Sequence, residues 1–335
     1  MFSKKARDPF SAVEKIKRFI FDNVSIYRMF DHNYAFDINT IRFGVYNDNH
    51  EFLRISNAVS PVHKAQTPTR TEISRKTEGV VKALEFSIKR RNYPEFNALY
   101  NAIRSHALSL DSNNGQNQLL DLWSIFEMVL DISNGHTSDR IVQVCDKLVP
   151  ILRRKYIYSL FAQLAGDINN YSEEKYKMII DDLTDRNEII QRLCEFVLLD
   201  EYESQRNRFL DSCQDFPLLK ERIEYYNAKL SKPIDVYNFV EKHSTRVRWQ
   251  VMRIYRNRNM IIHNGNSMAY LDLLIENLHS YVDDFLDYII QSKVDGFTQE
   301  TMIHELYVKE CKWQAKFQSR SALLSKDLIS EMLSI

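Results

Sequence analysis

The sequence predicts an all-α fold: an up-and-down helical bundle preceded by a mainly helical N-terminal extension. Only 7 Gly and 7 Pro serve 335 residues, too few for a sandwich or barrel that turns every ten residues or so. Apolar residues make up 44% of the chain and recur at helical spacing over most of it. No repeat of fixed period and no low-complexity tract interrupts that pattern. The same composition speaks against collagen-like, disordered and disulfide-scaffold classes.

A first helix is expected over residues 8–29, where Pro9 suits the opening turn and Ala12, Ile16, Phe19 and Ile20 share a face. Residues 34–68 read differently. Segments 41–46 and 51–56 alternate or are β-branched, and Asn47-Asp48-Asn49-His50 between them are turn residues, so a small β-hairpin is expected near 40–57. Helices near 72–91 and 94–110 follow. The polar break Ser112-Asn113-Asn114-Gly115 is read as the boundary between an accessory region, 1–110, and a bundle, 111–292. Segment 116–131 carries Leu119, Trp123, Phe126 and Leu130 along one stripe. A long helix from 138 to about 165 is expected to kink at Pro150. Ser172 is placed to cap the next helix, and charged amphipathic helices are expected at 173–199 and 201–228. Pro233 restarts the helix, and a segment near 245–262 ends at His263-Asn264-Gly265-Asn266, a stop signal. The clearest amphipathic helix is 268–291, with Leu271, Leu274, Leu278, Tyr281, Val282, Phe285, Tyr288 and Ile289 on its apolar face. A helical tail, 293–335, completes the expected organisation.

Lys+Arg and Asp+Glu both total 45, so no global field points to a nucleic-acid or membrane partner. Cys145, Cys194, Cys213 and Cys311 lie far apart without C-x-x-C spacing, which predicts buried free thiols in a reducing compartment. The basic N-terminal residues lack the apolar stretch of a signal peptide, and no apolar run reaches the ~18–20 residues of a membrane span. A cytoplasmic protein without a membrane partner is expected, and no metal or other cofactor.

Charge matters locally instead. From Lys242 to Tyr270 there is no acidic residue, while the window holds Lys242, Arg246, Arg248, Arg253, Arg256 and Arg258. Guanidinium forks grip phosphate oxygens in bidentate fashion, which makes Arg246, Arg248 and Arg253 candidates for RNA binding. The competing reading of Arg246 and Arg248 is ion pairing with acidic helices of the same chain. Within the window, Arg256, Arg258, Asn259 and His263 fall inside two helical turns. An arginine that stabilises charge on a pentacoordinate phosphorus, a histidine that moves protons near neutral pH and an amide that orients the ring suffice for metal-free RNA cleavage. The RNA 2′-hydroxyl would be the nucleophile. Asn259, four residues before His263, is placed to hold its ring. On an ideal helix Arg258 and His263 lie about 140° apart, whereas Arg256 and His263 nearly align. Three arrangements reconcile this: the helix unwinds near His263, the Arg258 side chain wraps round, or two chains each donate half a site.

Arg258-Asn259-x-x-x-His263 resembles the R-N-x-x-x-H form of the R-x4–6-H motif of the HEPN (higher eukaryotes and prokaryotes nucleotide-binding) superfamily. A second likeness is Leu122-Trp123 followed by Glu127, which is similar to the first core helix of the Apea-like branch. The likeness covers roughly 94–290; Asn264 departs from it, since Apea-like sequences often read His-Gly directly. The resemblance implies a helical bundle that forms a homodimer with two motif copies across one cleft. It implies a metal-independent endoribonuclease leaving a 2′,3′-cyclic phosphate, in antiphage defence, abortive infection or a toxin–antitoxin pair with an antitoxin or trigger protein. It equally admits a non-catalytic module that binds RNA, nucleotide or a protein partner. Glu127 borders the apolar stripe of its helix and needs a partner there; Arg258 or Arg256 is the expected one. His32, His106, His136, His243 and His279 show no ligand spacing and are expected at the surface or satisfied, with His279 on a polar flank.

Overall fold

The computed structural model describes residues 8, 11–13, 15–16, 19–20, 42–47, 49, 51–57, 70–112, 114–130, 137–181, 183–213, 215–265, 270–318 and 323–333. The chain divides into two units, Met1–Val62 and His63–Ile335. In the first, residues 11–13, 15–16 and 19–20 are helical. Asp8 caps this segment: its Oδ1 accepts the Ser11 N–H at 2.9 Å and its carbonyl accepts that of Ala12 at 3.1 Å. The rest of the helix expected at 8–29 lies outside the described residues.

The expected hairpin is present as β1 (Arg42–Tyr46) and β2 (Phe52–Asn57), paired antiparallel with a bulge between Val45 and Tyr46. Its turn is held by Asn47, whose Oδ1 accepts the N–H groups of Asn49 at 3.0 Å and Glu51 at 2.8 Å.

The second unit is helical: α1 (Arg70–Lys89), α2 (Tyr93–Asp111), α3 (Gly115–Val129), α4 (Thr137–Arg154), α5 (Tyr156–Tyr171), α6 (Glu173–Ile180), α7 (Arg186–Leu198), α8 (Glu203–Asp211), α9 (Pro217–Lys229), α10 (Pro233–Asn264), α11 (Leu271–Val294), α12 (Gln299–Phe317) and α13 (Lys326–Leu333). Side-chain caps start several of them. Asn92, Asn114, Ser172, Asp185 and Thr298 each accept a first-turn N–H, a contribution of about 1 kcal/mol apiece.

Helix α10 organises the unit. Its 32 residues span about 48 Å, long enough to serve two cores. Near its start, Val236 and Val240 join Phe161, Leu193, Val197, Ile223 and Phe317 in a core built from α5–α9, α12 and α13. Further along, it packs against α3, α4 and α11. There Trp123 meets Tyr255 at a ring separation of 5.4 Å, and Phe126 meets Phe285 at 5.2 Å. Arg153 of α4, 7% exposed, donates to Glu241 of α10 at 2.7 Å, pairs with Glu310 of α12, and lies over the Trp313 ring. These contacts tie α4, α10 and α12 together.

Several boundaries differ from expectation. The division of the chain falls at 62/63, not at 110/111: α1 and α2 pack on α3 and α11, so the polar break at 112–115 separates two members of one bundle. The helix expected to kink at Pro150 runs through it and breaks at Lys155. The two charged helices expected at 173–199 and 201–228 are four, α6–α9. Asp181, at φ 52°, ends α6, and residues Asp200–Tyr202 form a 3₁₀ turn before α8. Helices at 233 and 245 are one. Cys145, Cys194 and Cys213 are buried, whereas Cys311 is exposed. Among the described residues no helix is long and apolar enough to cross a membrane.

Candidate functional site

The candidate residues other than Glu127, which is on α3, lie on α10, and helical geometry sorts most of them onto two faces. Val240, Ser244, Val247, Val251, Ile254 and Ile261 are buried at alternating three- and four-residue steps, and Arg258 falls in the same series. Two positions further on, about 200° round the helix, lie Lys242, Arg246, Trp249, Arg253, Arg256 and His263, all exposed. The helix stays intact through Asn264 and ends where Gly265 takes the left-handed conformation (φ 63°) and donates its N–H to the Ile261 carbonyl at 2.9 Å. Unwinding near His263, one of the three arrangements considered, therefore does not occur. Gln116, in the first turn of α3, anchors this end by donating from Nε2 to the Gly265 carbonyl at 3.3 Å.

Arg258 turns toward α3. Its Nη2 donates to Glu127 Oε2 at 3.3 Å and its Nη1 to Asn259 Oδ1 at 3.1 Å. The other Glu127 oxygen accepts the Trp123 indole N–H at 2.9 Å. A buried indole, a carboxylate, a guanidinium and an amide thus form one chain. Because Arg258 is 24% and Glu127 38% exposed, the ion pair itself contributes about 1 kcal/mol or less. Asn259 was expected to orient the His263 ring; it accepts from Arg258 instead, because the guanidinium reaching for Glu127 passes its side chain. No hydrogen bond to the His263 side chain is formed among the described residues. The structure brings Arg258, Asn259 and Glu127 together and places Arg256 and His263 on the opposite, solvent-facing stripe.

Of the basic residues, Arg248 pairs with Asp146 of α4 at 2.6 Å, so its charge is compensated within the chain. Arg253 donates to the neutral Gln250 side chain at 3.4 Å. Lys242, Arg246, Arg253 and Arg256 make no ion pair among the described residues. Beside Arg246, His243 stacks on Tyr156 with rings 3.4 Å apart and 4° from parallel. Burial, with the Arg246 charge adding to it, pushes the His243 pKa down to about 4.

His279 is buried, not on a polar flank. Its Nε2 meets Gln118 Nε2 at 2.8 Å, and the His106 ring packs edge-on against it while bonding Asp283 at 3.0 Å. His32 and His136 lie outside the described residues. Among the described residues no group of three or more His, Cys, Asp or Glu is arranged to hold a metal ion. Two site features escaped sequence reading: the role of Gln116, and Trp249, 64% exposed within the cationic stripe. Trp249 was legible in principle, since it stands three residues after Arg246 and four before Arg253.

No family model, curated protein or solved structure matches this chain.

Proposed function

We propose that this chain is a metal-independent endoribonuclease of HEPN type. The reaction is transfer of the phosphodiester from the 5′-oxygen of the following nucleotide to the neighbouring 2′-oxygen. A base removes the 2′-hydroxyl proton as the oxygen attacks phosphorus, the P–O5′ bond breaks, and an acid protonates the leaving 5′-oxygen. The products are a 2′,3′-cyclic phosphate and a 5′-hydroxyl. His263 supplies the proton transfer, exposed at the end of α10 where a substrate can reach it. Arg258, held by Glu127 and Asn259, offers a guanidinium of defined orientation for the phosphorane charge, with Arg256 beside His263 as a further cation. Since Arg258 and His263 point to different faces of one helix, the site is composite: in a homodimer, the arginine of one chain serves the histidine of its partner. Antiphage defence or a toxin–antitoxin pair is the setting proposed for it.

The single observation that carries this reading is the acid-free stretch of α10 ending in an exposed His263, with four cations unpaired by any described carboxylate. A second reading, a non-catalytic module that binds RNA, nucleotide or a protein partner, is favoured by the engagement of Arg258 with Glu127 away from His263. Labelled RNA incubated with the purified protein in EDTA, wild type beside His263→Ala, separates the two. Cleavage with 2′,3′-cyclic ends that disappears in the variant supports the nuclease. RNA binding without cleavage by wild type favours the binding module.

A further inference from the structure

The outer face of α10 carries a feature that the proposed chemistry does not use. Of the three tryptophans, Trp123 and Trp313 are 1% and 5% exposed, while Trp249 is 64% exposed. No ring or cation stacks on Trp249 among the described residues. It stands in line with Lys242, Arg246, Arg253 and Arg256, each free of a described carboxylate, and with His263 about 21 Å further along the helix. An apolar partner would bury these charges without compensation, at high cost. A second copy placed symmetrically on the stripe with nothing between would set cation against cation. A duplex would satisfy the cations but hide its base faces from the indole. A single strand meets both demands, phosphates for the guanidinium and ammonium groups and an unstacked base for the ring.

We propose that Trp249 is a base-stacking platform that holds a single RNA strand along the outer stripe of α10, directing it toward His263. This rests on the reading that the chain handles RNA. Its substrate class is therefore single-stranded, and Trp249 sets where the strand enters rather than how it is cut.

The test uses the full-length protein and a fluorescein-labelled 2′-O-methyl oligouridylate, which lacks the attacking hydroxyl and stays intact. Anisotropy is compared with that of the same strand annealed to its complement, over a range of salt. The single strand is expected to bind more tightly than the duplex, with a log–log salt slope of about −3 for four phosphate contacts. Trp249→Ala should weaken binding about 5- to 150-fold, the effect of losing one base–aromatic stack, and Trp249→Tyr should restore most of it. Intrinsic fluorescence should be quenched on binding in wild type and not in Trp249→Ala, because the other two tryptophans are buried. Salt-sensitive binding that is indifferent to Trp249, or equal for duplex, overturns the platform and leaves the RNA reading standing. Absence of any RNA binding overturns both. Loss of a concentration-dependent dimer in Trp249→Ala, with RNA affinity unchanged, assigns the face to a second copy and likewise overturns the proposal.

Discussion

Replacing Glu127 tests how Arg258 and Trp123 are held. The two carboxylate oxygens serve different partners: Oε1 accepts the Trp123 indole N–H at 2.9 Å and Oε2 pairs with Arg258 at 3.3 Å. In Glu127→Gln the amide oxygen can still accept from the indole, and only the ion pair is lost. With that pair partly solvated, the expected cost is about 0.2–1 kcal/mol. In Glu127→Ala the indole N–H also loses its acceptor, and Trp123 is only 1% exposed. An unsatisfied buried donor adds about 1–3 kcal/mol. Urea denaturation at neutral pH should therefore separate the two variants by at least about 1 kcal/mol in the order wild type, Gln, Ala, with unchanged m-values. Ala and Gln variants of equal stability would refute the claim that Glu127 bridges a buried donor to the arginine. If the nuclease reading holds, Glu127→Gln should also lower kcat more than it raises KM, since it loosens Arg258 without removing a phosphate contact.

His243 should give the protein a pH-dependent stability. Its pKa of about 4 in the folded protein lies below the ordinary 6.5, so the unfolded chain takes up the proton first as pH falls. The contribution is complete above about pH 6.5 and lost progressively down to about pH 4, amounting to on the order of 3 kcal/mol at most. His243→Phe, which keeps a ring against Tyr156, should flatten that part of the urea-midpoint profile; an unchanged slope between pH 6.5 and 4 would count against it. Gly265→Ala places a Cβ in the left-handed region, where no atom of the described residues lies within 4 Å to clash, so the cost is backbone strain of about 1–2 kcal/mol. A thermal midpoint lowered by a few degrees, with Gly265→Asn intermediate, is the expected result.

The periodicity of the apolar residues was enough to assign the helical class, since burial of one face at a 3.6-residue repeat leaves its mark on every amphipathic segment. The hairpin was legible because β-branched runs and a polar four-residue turn are local signals. So was the acid-free basic window, and so was the need of Glu127 for an arginine, because a carboxylate bordering an apolar stripe requires a nearby charge. Boundaries were less legible where tertiary contacts override local breaks. The polar turn at 112–115 looks like a domain edge, yet α2 and α3 bury their apolar faces on each other across it. Pro150 looks like a kink, yet α4 runs on to place Arg153 between Glu241 and Glu310.

At the site the division is sharper. Composition and spacing alone singled out Arg258, Asn259 and His263 as candidates, because all three fall within two turns of one helix. Only the packing of α3 beside α10 decided that Arg258 and Asn259 turn inward to Glu127 while His263 faces solvent with Arg256. A sequence states the angle between two residues on a helix; which of those directions is interior depends on the neighbour that covers it.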